Sequence, residues 1–173
     1  NEVPVSQSSI LDCLARAAHD DKLDAVVLDL DFANVGWGMA AELRGAVARC
    51  RAAGKPVWAY APYFDEASLY LASACDSIFV PPGGKVMLNG FAAGGMFFKG
   101  LFDKAGLHAN VHRIGAYKSA AEPYMRGDLS EPARRNLGWL LDGLGTDFQD
   151  AVVQDRKVTR EEFAAAVARG TLQ

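Results

Sequence analysis

Apolar positions along this chain recur with two periods, and the switches between them mark out its elements. Ile10, Leu11, Leu14 and Ala18 share one face of a helix that Ser8 or Ser9 can cap. Asp24 to Asp31 (DAVVLDLD) is an apolar run with polar edges and reads as a buried strand. Trp37 to Ala53 predicts a helix, with Leu43, Ala46, Val47 and Cys50 at helical spacing. Gly54 fits its C′ position, and Lys55-Pro56 prevents continuation. Val57 to Ala61 predicts a second strand, Asp65 to Ala74 a short helix and Ser77 to Val80 a third strand. Pro81-Pro82-Gly83-Gly84 is a rigid turn before a short strand at Val86 to Leu88.

Met96 to Ala105 then reads as a helix stopped by Gly106, and His108 to Ile114 alternates as a strand should. Gly115 to Gly127 shows no period and is expected to be irregular. Ser130 caps a long helix reaching about Gln154, with Leu137, Leu140, Leu141, Leu144, Phe148 and Val152 as its stripe. Thr159 and Glu162 form a capping box for a last helix ending at Gly170. Short apolar strands alternating with helices imply an α/β fold, its mainly parallel sheet covered by helices on both faces. The division expected is an α/β domain over 1–130 and a C-terminal helical extension of it over 131–173.

Composition narrows the function classes. Half of the 173 residues are hydrophobic, enough for a real core. Formal net charge is −3, with lysines and arginines scattered, so nucleic acid is not an expected partner. Cys13, Cys50 and Cys75 lack CxxC spacing, and their odd number argues against a disulfide framework. All three are expected to be small buried residues. No apolar run approaches the length of a membrane span. The chain begins at Asn1-Glu2 and stops just after a helix, so it is expected to be a piece of something longer.

Four segments carry the candidate chemistry. They are the Val26–Asp29 strand with its helix to Gly54-Lys55-Pro56-Val57; Leu69 to Ile78 (LYLASACDSI); Leu88-Asn89-Gly90-Phe91 leading into Phe98 to Gly106 (FKGLFDKAG); and Arg113 to Tyr124 (RIGAYKSAAEPY) followed by Arg126-Gly127-Asp128-Leu129-Ser130. Together, in order over nearly the whole chain, they resemble the signal peptide peptidase A (protease IV) family of serine–lysine peptidases. The fourth segment is the most specific of them.

The resemblance implies a crotonase/Clp-protease-like fold and peptide hydrolysis by a Ser-Lys dyad. It places the general-base lysine at Lys118. An ordinary lysine is almost wholly protonated at pH 7, so that role needs an environment favouring the neutral amine, such as a dry surface closing over it. Small neighbours (Ala116, Ser119, Ala120 and Ala121) leave room for one. Glu122 would oppose the role if it met the amine. Pro123 disfavours helical geometry at Glu122, so Glu122 is expected to point away or pair elsewhere. The plain alternative for Lys118 is a solvated loop lysine.

The nucleophile is missing. Family members that carry it have Ser-Gly-Gly-Tyr at the start of a helix, and no Ser-Gly-Gly occurs here. Glu66 falls on the serine position, and Ser68 is the nearest hydroxyl, two residues away. The resemblance is to the N-terminal, lysine-bearing half of a tandem-duplicated member, which implies that a second, serine-bearing half completes the dyad. Asn89, Gly90 and Phe91 lie where the family has its substrate edge, and Phe91, in place of a hydroxyl, reads as either structural or substrate-contacting. Implied further are signal peptides and other hydrophobic peptides as substrates, a homo-oligomer, and no metal or organic cofactor. The implied location is the periplasmic face of the bacterial inner membrane, through an anchor outside this chain; plant plastids also have relatives.

Two other readings stand beside this one: a non-catalytic scaffold domain, supported by Glu66, and an acyl-CoA enzyme of the same fold. The remaining candidates read as structural. His108 and His112 on a strand lie ~13 Å apart, too far to share a metal. Gly83-Gly84 and Gly94-Gly95 lack phosphate-loop patterns. Asp29 and Asp31 mark a strand edge, and Trp37, Trp58 and Trp139 are core or interface aromatics.

Overall fold

The computed structural model describes residues 6–31, 33, 35–169 and 171–172. Its elements are α1 (Gln7–Ala17), β1 (Val26–Asp29), α2 (Trp37–Ala52), β2 (Val57–Tyr60), β3 (Tyr63–Phe64), α3 (Glu66–Ser73), β4 (Ser77–Phe79), β5 (Lys85–Met87), α4 (Lys99–Lys104), α5 (Glu122–Met125), α6 (Glu131–Arg156), α7 (Arg160–Ala168) and β6 (Thr171–Leu172). They fall into two compact units. One holds the residues up to Gly90 together with those from Phe148 onward; the other spans Phe91–Asp147.

In the first unit, β1, β2 and β4 form a wholly parallel sheet in that order, with Val26 opposite Val57 and Trp58 opposite Ser77. A second small sheet pairs β3 with β5 in parallel and β5 with β6 in antiparallel. The architecture is thus α/β with a mainly parallel sheet, flanking helices and C-terminal helices.

Local chemistry sets the boundaries. Ser6, rather than Ser8 or Ser9, caps α1 by accepting the Ser9 N–H. Helix α2 ends in a Schellman motif: Lys55 N–H donates to Cys50 O, Gly54 N–H donates to Arg51 O, and Gly54 sits at φ +81°. Asp76 brackets β2 by donating its N–H to Val57 O while its Oδ2 accepts the Val57 N–H, each at 2.8 Å. Helix α3 opens with a capping box between Asp65 and Ser68, and α7 with the expected one between Thr159 and Glu162. The expected stop at Gly170 lies outside the described residues.

The core of this unit comprises Leu43, Ala46, Val47 and Cys50 of α2, Val57 and Ala59 of β2, Phe64, and Leu71 and Ala72 of α3. Its location corrects one expectation, because among the described residues of this unit α2 and α3 cover one face of the sheet. Strand β2 alternates buried and exposed residues, and Val27, Trp58, Tyr60 and Phe79 are exposed. Connection handedness explains this. The crossovers β1–α2–β2 and β2–α3–β4 advance in the same direction across the sheet. Right-handed connections therefore put both helices on one side, where α2 packs on α3.

Other expectations also change. The expected strand over residues 108–114 does not form: among the described residues it pairs with no other strand, and Ile114 is 94% exposed. The helix expected from Met96 begins only at Lys99. One helical turn, α5, interrupts the stretch expected to be irregular, with Pro123 tolerated in its first turn, where its missing N–H costs nothing. Glu122 is therefore helical, contrary to expectation.

Cys13 is exposed, lying about 100° round α1 from buried Leu14. Cys50 and Cys75 are buried, and burial pushes the Cys75 thiol up to about 12. Along α6, Phe148 and Val152 are buried and Leu137, Leu141 and Leu144 half-buried, but Leu140 is exposed. Trp37 packs against Tyr70 and Phe148 with ring centroids 5.1 and 6.2 Å apart, whereas Trp139 is exposed. Among the described residues, no helix is long and apolar enough to cross a membrane.

The Pro81–Gly84 turn, closed by Gly84 N–H donating to Pro81 O, offers a stability test. A Cβ on Gly84 would lie 2.8 Å from Pro62 O and 2.4 Å from Val80 Cγ1. The backbone contact cannot be relieved by a rotamer change. Gly84→Ala is expected to cost about 1–3 kcal/mol, read as a lowered urea midpoint with unchanged slope.

Candidate active site

The second unit presents Lys118 on a tightly folded loop. Gly115 supplies a φ of +100° at the bend. Lys118 N–H donates to Gly115 O at 3.3 Å, and Ser119 N–H to Tyr117 O at 3.0 Å. The second bond makes Lys118 the middle of a three-residue turn. Its side chain is exposed and lines an open depression together with Ile114, Tyr117, Ser119 and Ala120. Tyr117 also borders a neighbouring apolar hollow with Arg135, Asn136 and Trp139 of α6. No ion pair among the described residues uses the Lys118 amine.

Glu122 lies behind this loop, 2% exposed. Its Oε1 accepts the Ser130 hydroxyl at 2.6 Å and Arg113 Nη1 at 3.0 Å, while its Oε2 accepts the Ser130 N–H at 2.8 Å. The carboxylate is thus paired elsewhere, as expected, and Arg113 is its counter-ion. The same Arg113 Nη1 donates to the Lys118 carbonyl at 3.0 Å. Ser130 in turn heads α6, its Oγ accepting the Ala133 N–H. The pairing of Arg113 with Glu122 emerges only from the structure, since an arginine nine residues from its glutamate leaves no periodic signal in sequence.

The two Ser130 hydrogen bonds, against the opposing effect of burial and with help from Arg113, hold the Glu122 carboxyl down to about 2 from an ordinary value of 4.5. A depressed folded-state pKa contributes stability that is fully present above the unfolded value and lost as pH falls through the folded one. Acid unfolding of the wild type should therefore include a component between about pH 4.5 and 2 that Glu122→Gln lacks. Denaturant midpoints measured across that range check this; parallel pH profiles for the two proteins would refute it.

The other candidates sit apart from this loop in the chain. Asn89 and Gly90 belong to the first unit, Phe91 and Lys118 to the second. Glu66, in the first turn of α3, accepts the N–H groups of Asn89 and Gly90 on Oε1 at 2.6 and 2.8 Å, and Gly90 adopts φ +79°. Phe91 is half-buried, with Gly145 beside its ring. Ser68 is buried, its hydroxyl 2.6 Å from Asp65 Oδ1 within the capping box. Asp31 N–H donates to Asp29 Oδ1, a strand-end turn. His108 and His112 are exposed, and among the described residues no three His, Cys, Asp or Glu side chains converge as a metal site.

Comparisons with known proteins agree with the sequence motifs. The sequence model of Peptidase family S49 matches residues 49–172. Similar proteins include Protease 4 of Haemophilus influenzae, 30% identical over 160 residues, and Protease 4 of Salmonella typhi, 32% over 155. The chloroplastic serine protease SPPA of Arabidopsis thaliana is 30% identical over 158 residues. The matches cover 92, 89 and 91% of this chain but 26, 25 and 23% of those proteins, so the chain spans about a quarter of their length. An enoyl-CoA hydratase/isomerase family protein from Silicibacter pomeroyi overlays at a TM-score of 0.39 and 20% identity, covering 95% of this chain and 87% of that one. A superposition that loose carries no conclusion about activity.

Proposed function

This chain belongs to peptidase family S49, and from that membership we propose that it supplies the general base, Lys118, of a serine peptidase whose nucleophile lies on a second domain. The observation that carries this reading is the pairing of Glu122 with Ser130 and Arg113. The carboxylate nearest to Lys118 in the motif is engaged behind the loop, while exposed Lys118 lines an open depression. Small neighbours leave space for another surface to cover the amine. A dry contact of that kind favours the neutral form that base catalysis requires.

In the proposed cycle, the Lys118 amine takes the proton of a serine hydroxyl as that oxygen attacks the scissile carbonyl. It then returns the proton to the leaving amine, and water releases the acyl group by the same route. No metal or organic cofactor enters. Asn89, Gly90 and Phe91 form the edge along which substrate lies. The substrates are cleaved signal peptides and other hydrophobic peptides, and the working particle is a homo-oligomer. It acts at a membrane through an anchor outside this chain, at the periplasmic face in bacteria or in plastids. The relatives named Protease 4 support the peptidase reading, and the name of the chloroplastic relative supports a plastid location.

The test is hydrolysis of a fluorogenic hydrophobic peptide by the intact protein containing this chain, with and without Lys118→Ala. Activity indifferent to that substitution would overturn the assignment. It would favour the second reading, a scaffold domain, which rests on Glu66. In that reading the carboxylate binds the Asn89 and Gly90 amides at the position where a nucleophile would stand.

A further inference from the structure

We propose that Arg113, Glu122 and Ser130 act as a positioning relay that fixes the backbone of Lys118 relative to the start of α6. The inference rests on the reading of Lys118 as a base. A single guanidinium nitrogen, Arg113 Nη1, lies 3.0 Å from both the Lys118 carbonyl and Glu122 Oε1. Glu122 is in turn held on both oxygens by Ser130, the residue at the head of a 26-residue helix. The relay therefore runs from the loop carbonyl through a cation and a buried anion to a rigid element.

Each link has a physical reason. A buried carboxylate is retained only where hydrogen bonds and a counter-ion offset its desolvation, and Glu122 has both, in three bonds from Ser130 and Arg113. A guanidinium offers several donors in a fixed plane, so it can serve a carbonyl and a carboxylate together. The loop itself is short of restraint. Its own bonds at Lys118 are those of tight turns, and Ile114, Tyr117 and Lys118 are exposed. Without Arg113, no described side chain holds the Lys118 carbonyl. A base must meet its proton within hydrogen-bond reach, so slack in the loop appears in turnover before it appears in substrate binding.

The experiment combines kinetics with amide hydrogen exchange on the intact protein. Arg113→Ala is expected to lower kcat about tenfold to a hundredfold while leaving KM within about twofold, with partial recovery in Arg113→Lys. In the Lys118→Ala background the same change should cost nothing further, because a relay to an absent amine has no effect. Exchange of the amides across 115–122 should rise at least about tenfold in Arg113→Ala, with α6 unchanged. Unchanged exchange, or a kcat within about twofold of wild type, would overturn the relay. Full activity in Lys118→Ala would instead remove the reading on which the relay rests and with it the catalytic purpose, while exchange would still report whether Arg113 tethers the loop.

Discussion

Lys118→Ala should lower kcat/KM of the intact protein for a hydrophobic peptide by about 10³–10⁴-fold and leave its unfolding midpoint nearly unchanged. The size follows from losing both proton transfers that a base of this kind performs. The stability half follows from the structure. Lys118 is exposed, and its side chain makes no ion pair among the described residues. Surface changes of that type stay within about 0.5 kcal/mol. Lys118→Arg should be as inactive as the alanine variant, because a guanidinium does not give up its proton near neutral pH. An active arginine variant would point to a charge-only role for this position, and an active alanine variant to no role in the chemistry.

Arg44→Ala should cost about 3 kcal/mol of unfolding free energy, one of the largest effects for a single side chain outside the apolar core. Arg44 Nη2 bonds Asp155 Oδ2 at 2.7 Å, and Nη1 donates to the Ser73 hydroxyl at 2.8 Å and to the Tyr70 carbonyl. The guanidinium also lies over the Tyr70 ring, 4.3 Å from its centre. The two charged side chains are 16 and 20% exposed, so truncation leaves Asp155 with the Ser73 hydroxyl in a poorly hydrated site. The exposed pair Arg134–Asp128, at 57 and 71%, provides the contrast and should be worth less than about 1 kcal/mol when broken. Urea titrations of Arg44→Ala and Arg134→Ala, compared at equal slope, test both. Equal losses would show that burial does not set the value of these pairs.

The two experiments probe different layers. The lysine is readable as a motif, but Arg44 draws its importance from Asp155, 111 residues away in sequence. Glu122 lies between these cases. Its presence in the Tyr-Lys-Ser-Ala-Ala-Glu-Pro segment raised the question of whether it would meet the amine, and only the structure, through Ser130 and Arg113, answered it.

What the sequence by itself determined is what local forces determine. The capping box at Thr159 and Glu162, the Schellman end at Gly54 and the strands at 26–29, 57–60 and 77–79 depend on turn chemistry and apolar period within a few residues. The missing Ser-Gly-Gly is equally local, because it is a statement about neighbours in the chain. Where long-range partners decide, the pattern was silent or misleading. Residues 108–114 alternate like a strand but pair with no strand among the described residues. Cys13 and Cys50 are alike in sequence, yet helix phase exposes one and buries the other. Connection handedness put α2 and α3 on one side of the sheet, leaving Val27, Trp58, Tyr60 and Phe79 exposed where apolar strands alone implied two covered faces. Periodicity records which way a residue points along its own element. What lies opposite it is set by the packing of distant segments, and only the tertiary structure decided that.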